Sequence, residues 1–162
     1  INIMNIKLQY PVFVFTKNDP MVYVFHDEGL FTVTTMEYLR KTNFRKDVFI
    51  DSSGMKYFPQ SAYVTYIWGF WERIFRRLWR LGAQLITIDY DYVDAGVPIT
   101  LNELKTMIVE RYPKSGWFHS SWSNVEEFRE KINQCDTFEQ LAFTLEGQPL
   151  PENKFLRILK GY

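Results

Sequence analysis

The chain contains one cysteine, two histidines and no net charge. Each shortage narrows the field. The lone Cys135 cannot close a disulfide within the chain, which points to a reducing, cytoplasmic setting. His26 and His119 are too few for a centre built on several converging imidazoles, so no metal is expected. Nineteen basic residues balance nineteen acidic ones, so no overall charge draws the protein to nucleic acid. No apolar run reaches the roughly 18 residues of a membrane-spanning helix. No glycine-rich phosphate loop or paired CxxC is present, and no cofactor is expected. The opening "INIMNIKLQYP" lacks the charged flank and long apolar centre of a signal peptide. Met4 is a candidate natural start, which would leave residues 1–3 as vector remnants.

What is abundant is aromatic surface. Phe, Tyr and Trp make up 18% of the 162 residues, and such side chains carry large buried areas in cores and interfaces. The length fits one domain, residues 1–162, with room for a substantial core.

The unbroken run Val12-Phe13-Val14-Phe15 predicts a strand covered on both faces. "KNDP" (Lys17 to Pro20) is a turn, and "MVYVF" (Met21 to Phe25) its hairpin partner. Thr34 and Glu37 fit a capping box opening a short helix. "DVFIDSSGMKYF" predicts a second hairpin with Gly54 in the left-handed region, and "AYVTYIW" a strand ending at Gly69. "AQLITIDYDYVD" is the clearest strand. Its alternation sets Ile86, Ile88, Tyr90 and Tyr92 on one face, and Leu85, Thr87, Asp89 and Asp91 on the other. Gly96 and Pro98 end it.

Capping boxes then recur at Thr100/Glu103, Ser123/Glu126 and Asp136/Glu139. They open helices whose apolar sides carry Leu101, Leu104, Met107, Ile108 and Tyr112, then Val125, Phe128 and Ile132. The third helix closes at Gly147, and the tail "KFLRILKGY" is read as a strand. Hairpins first and helices later predict an α+β fold, an antiparallel or mixed sheet with helices on one side.

"WERIFRRLWR" (71–80) is the most unusual stretch. As a helix it gathers Trp71, Ile74, Phe75, Leu78 and Leu81 on one stripe and Arg73, Arg76, Arg77 and Arg80 opposite. The plainest reading is a helix covering the sheet with its basic face in water or against Asp89 and Asp91, which arginine binds in two-pronged fashion. Next comes a partner surface, since Arg and Trp dominate binding hot spots. A membrane-surface helix has this composition too. Nucleic acid is least favoured, because the acidic strand alongside would repel phosphates.

No constellation in the sequence names a reaction. His26 in "FHDEG" sits beside Asp27 and Glu28, but neighbours in sequence diverge in direction. His119 in "GWFHSSW" lacks the signature of a nucleophile elbow and reads as a loop. Cys135 reads as buried filler. Asp89, Asp91 and Asp94 lack the glycine and terminal glutamate of a calcium loop. No catalytic residue is assigned, and an enzyme with a dispersed active site stays as an alternative.

The order of features resembles the small immunity proteins that accompany bacterial polymorphic or contact-dependent toxins. The resemblance is carried by "YPVFVFTKNDPMVYVF" as opening hairpin, "VFIDSSGMKYF" as the second hairpin, and "ITLNELKTMIVERYPKSGWFHSSWSNVEEFREKINQCDTFEQL" as the helical end. It implies stoichiometric binding to a cognate toxin domain, blocking its active site or assembly, and carries over no catalytic residue. "WERIFRRLWR" stands outside the shared pattern. With that reading, Asp89, Asp91 and Asp94 are candidates to meet a basic toxin surface, with Tyr92 adding a rigid contact. Arg73, Arg76, Arg77 and Arg80 are the candidates if the toxin is acidic, or if the protein binds a membrane or nucleic acid instead.

Overall fold

A computed structural model describes residues 6–69 and 84–146. These form two antiparallel sheets and six α-helices. The first sheet holds β1 (Val12–Thr16), β2 (Val22–Phe25), β4 (Asp47–Asp51), β5 (Met55–Tyr57) and β8 (Val97–Pro98), in the order β2-β1-β4-β5-β8. The second holds β3 (Val33–Thr35), β6 (Pro59–Ile67) and β7 (Leu85–Tyr92), in the order β3-β7-β6. The helices are α1 (Glu28–Thr32), α2 (Met36–Lys41), α3 (Leu101–Arg111), α4 (Phe118–Ser121), α5 (Val125–Asn133) and α6 (Phe138–Glu146).

The fold is α+β, as expected, with one difference: two sheets stand where one was predicted. The first sheet is the middle layer. On one face Phe13, Phe15 and Ile50 pack against Leu104, Ile108, Phe128, Ile132 and Leu141 of the helices. On the other, Val12, Val14 and Phe49 pack against Ile86, Ile88 and Tyr90 of the second sheet. That is why four consecutive apolar residues are tolerated in β1. Phe13 and Val12 are both fully buried, one toward each layer.

The first hairpin pairs Val12 with Phe25 across the turn at Lys17–Pro20, where Asn18 takes a left-handed φ of 69°. In the second, Gly54 has φ 78°, and a Cβ there would lie 3.2 Å from the Ile99 carbonyl oxygen. Asp51 is buried within this hairpin. Its carboxylate accepts from Gln9 N (3.0 Å), Ser53 N (3.1 Å), Ser53 Oγ (2.5 Å) and Met55 N (3.3 Å). The "DSSG" stretch is thus a clip joining hairpin and amino-terminal segment, since a buried carboxylate persists where several donors satisfy it.

Two cations tie the helical layer together, one to the first hairpin and one between helices. Arg111 lies over the Phe15 ring and donates through Nη2 to the carbonyls of Thr16 and Asp19, both at 2.6 Å. Lys105, only 9% exposed, donates to the Asn133 carbonyl at the end of α5 (3.1 Å). An ammonium there meets carbonyls that the helix leaves unpaired.

Several local expectations are corrected. The Thr100/Glu103 capping box is present as predicted. The other caps fall one residue later: Thr35 caps α2, Asn124 caps α5, and Thr137 Oγ1 accepts from Gln140 N at the start of α6. Thr34 lies in β3 and pairs with Ile86. Val125 is 37% exposed rather than core. His119 lies in the short helix α4, and Pro98 lies in β8, paired with Met55. Helix α1, capped by Asp27, was not foreseen. Gly147 and the tail strand lie outside the described residues.

Candidate partner-binding surface

The second sheet turns one face to the core and the other outward. Strand β7 alternates as predicted from Ile86 onward, with Ile86, Ile88 and Tyr90 buried against the first sheet; Leu85, expected on the outward face, is buried as well. Its outward residues are set by pairing with β6, which places Ser61 beside Asp91 and Tyr63 beside Asp89. Ser61 Oγ donates to Asp91 Oδ2 at 2.8 Å, and Tyr63 Oη donates to Asp89 Oδ2 at 3.3 Å. The second Asp89 oxygen accepts from the Tyr90 amide at 2.8 Å. Two carboxylates are therefore held side by side, about 7 Å apart along one strand, each oriented by a cross-strand hydroxyl.

Among the described residues neither aspartate enters an ion pair. Tyr63 remains 39% exposed. Its phenol pKa is raised, first by lost hydration, then by the Asp89 charge and the hydrogen bond it donates there. Farther along, Thr65 Oγ1 donates to the Thr87 carbonyl (3.2 Å) and Trp68 Nε1 to Thr87 Oγ1 (3.0 Å). Gln84 Nε2 donates to the Trp68 and Leu85 carbonyls, both at 3.0 Å, tying the two strand ends together. The charges of Glu28 and Asp27 at the start of α1, with Asp89, raise the Tyr10 phenol pKa further after burial.

The predicted acidic set separates. Asp89 and Asp91 share the outward face. Asp94 lies beyond the strand in a turn, its Oδ1 accepting from Gly96 N at 2.9 Å. Tyr92 points to the opposite face, against Tyr57 (5.6 Å between ring centroids), Phe49 and Tyr90. It is core packing and does not join the carboxylates. Arg73, Arg76, Arg77 and Arg80 lie outside the described residues, and with them the membrane and nucleic-acid readings. Ser61 and Tyr63 were missed by sequence reasoning. The signal was the alternation Ser61, Tyr63, Thr65 in β6, but its register against β7 is not a local property.

The remaining candidates are dispersed. His26 stacks near Phe143, with ring centroids 5.6 Å apart, and His119 near Phe118 at 5.2 Å. Cys135 is buried, its Sγ donating to the Lys131 carbonyl and sharing a hydrogen bond with Thr144 Oγ1, both at 3.3 Å. Among the described residues no three His, Cys, Asp or Glu converge as a metal site would require, and no helix is long and apolar enough to cross a membrane. Comparison with family models, curated proteins and solved structures finds no match.

Proposed function

We propose that the chain is an immunity-type protein that binds a cognate toxin domain stoichiometrically and neutralises it from the cytoplasm. The supporting observation is the outward face of the second sheet. Asp89 and Asp91 are oriented by Ser61 and Tyr63 with no cation beside them among the described residues. They sit on a strand whose other face is locked into the core. Preorganised charge of this kind favours a fast, specific encounter with a basic surface, since the binding partner meets side chains already ordered. The exposed Tyr63 ring beside them adds a stiff contact of the kind enriched at interfaces.

The test has two parts. Capture of the tagged protein from its host, read by mass spectrometry, is expected to yield one near-stoichiometric partner carrying a toxic carboxy-terminal domain. The double change Asp89→Lys/Asp91→Lys is expected to weaken that complex by about tenfold or more, chiefly through a slower association rate. The absence of any protein partner would overturn the reading. An intact affinity after charge reversal would move the interface elsewhere.

A further inference from the structure

Strand β6 is the outermost strand of its sheet: among the described residues it pairs with β7 alone. From Gln60 to Thr65 its rim carries no charged side chain. Natural sheet edges are usually guarded by lysine, by proline or by being short. This one is nine residues long. Bulges at its two ends, between Pro59 and Ser61 and between Val64 and Tyr66, leave the stretch Ser61–Val64 in regular register with β7. The turn Phe44–Lys46 packs Phe44 into the core between the sheets, with Ala62 and Val64. It therefore lies on the inner side, and it exchanges no backbone hydrogen bond with β6. In an antiparallel strand about half of the N–H and C=O groups point to each side, so among the described residues the outer half of this stretch has no backbone partner.

We propose that the β6 rim is a strand-addition site for an extended segment with Lys or Arg at alternate positions and small apolar residues between them. This deepens the proposed function by naming how the partner docks, and rests on that reading only in taking the partner to be a toxin. A strand laid beside β6 lies about 5 Å from it and about 10 Å from β7. Its outward residues would flank Ser61 and Tyr63 and point along the face that holds Asp89 and Asp91. That spacing is about one screening length at physiological salt, so basic side chains there are drawn to both carboxylates. Its inward residues would extend the apolar layer of Ala62 and Val64. Backbone pairing would supply affinity and the alternating charge would supply register and choice of partner.

The test uses the full chain and a capped heptapeptide of alternating lysine and valine, followed by amide shifts in solution. The expected result is saturable movement of the amides of residues 60–65. Methylating the peptide's backbone nitrogens on one edge should weaken binding by about tenfold or more, and Asp89→Asn/Asp91→Asn or replacing lysine by glutamate should do the same. Unmoved residues 60–65 would overturn the proposal. So would binding that survives N-methylation, which would mean electrostatic contact without strand pairing. Concentration-dependent dimerisation through β6 without peptide would assign the rim to a second copy instead. The peptide assay needs no toxin, so a failed capture experiment leaves it intact. Conversely, a captured toxin whose complex leaves residues 60–65 unmoved would overturn strand addition alone.

Discussion

At the scale of single residues, β4 carries two buried carboxylates with different support. Asp51 takes donors from three residues. Asp47, 8% exposed, accepts from Thr16 Oγ1 at 2.7 Å. Its pKa is raised because burial outweighs that bond. Between the unfolded and the folded value, the native state therefore holds a proton there that the unfolded chain has released. Stability from this group is complete below the unfolded pKa near 3.9 and is lost as pH rises through the folded value. Asp47→Asn keeps an acceptor for Thr16 and removes the buried charge. It is expected to raise the thermal midpoint at neutral pH and to lose that advantage below about pH 4. A midpoint at neutral pH no higher than that of the parent chain would show that the bond to Thr16 outweighs burial. Nothing local in "KDVFID" distinguishes the two aspartates. Their difference lies in Thr16, Gln9 and Ser53, brought to them by pairing and turn geometry. The same holds for Asp89 and Asp91, whose face was legible from alternation while their partners Ser61 and Tyr63 were not.

At the scale of elements, the helices show what a sequence does and does not specify. Thr100 stands without a neighbouring competitor, and the cap predicted there is the cap observed. At the other three starts two cap-competent residues are adjacent: Thr34-Thr35, Ser123-Asn124 and Asp136-Thr137. Either residue of a pair satisfies the local rule, and in each the second is used. At α2 the sheet decides, because the β3 ladder holds the chain extended through Thr35 and the helix opens only after it. At the other two starts the contacts are local: Ser123 Oγ donates to Glu127, and the Asp136 amide donates to Gln140 Oε1. The same ambiguity conceals β3, because Thr34 and Thr35 read locally as a helix start. The consequence is measurable at α5. Asn124→Ala removes the acceptor for Glu127 N, a 2.7 Å bond, and is expected to cost about 1 kcal/mol in chemical denaturation. Ser123→Ala, at an exposed bond, is expected to cost no more than about 0.5 kcal/mol. Equal costs would show that Ser123 contributes as much to that helix start as the cap does.

At the scale of the whole molecule, the high aromatic content finds its use between the sheets. Phe31, Phe49 and Tyr90 meet with ring centroids about 5 Å apart, and Tyr10, Phe44, Tyr57 and Tyr92 extend the layer. Edge-on aromatic packing adds a directional term to simple burial. The four-residue apolar run of β1 announced a strand covered twice, but not by what. The second cover is built from β3, β6 and β7, segments separated along the chain, and no periodicity reports which distant strands will pair. This layer also fixes how the molecule responds to alkali. Burial is the first cause holding the phenols of Tyr10, Tyr90 and Tyr92 well above their ordinary pKa near 10, and that of Tyr57 above it; Tyr112, in the core beneath the helices, is raised by burial too. Above pH 10 the unfolded chain gives up these protons while the folded chain keeps them, so stability contributed by the tyrosines is complete below that pH and falls as pH rises. The expected outcome of an alkaline titration is a delayed, cooperative rise in tyrosinate absorbance that coincides with loss of the folded circular dichroism signal. If most tyrosines ionised near pH 10 with the fold intact, the aromatic layer would be open to water, and the central sheet would have lost the cover that explains its sequence.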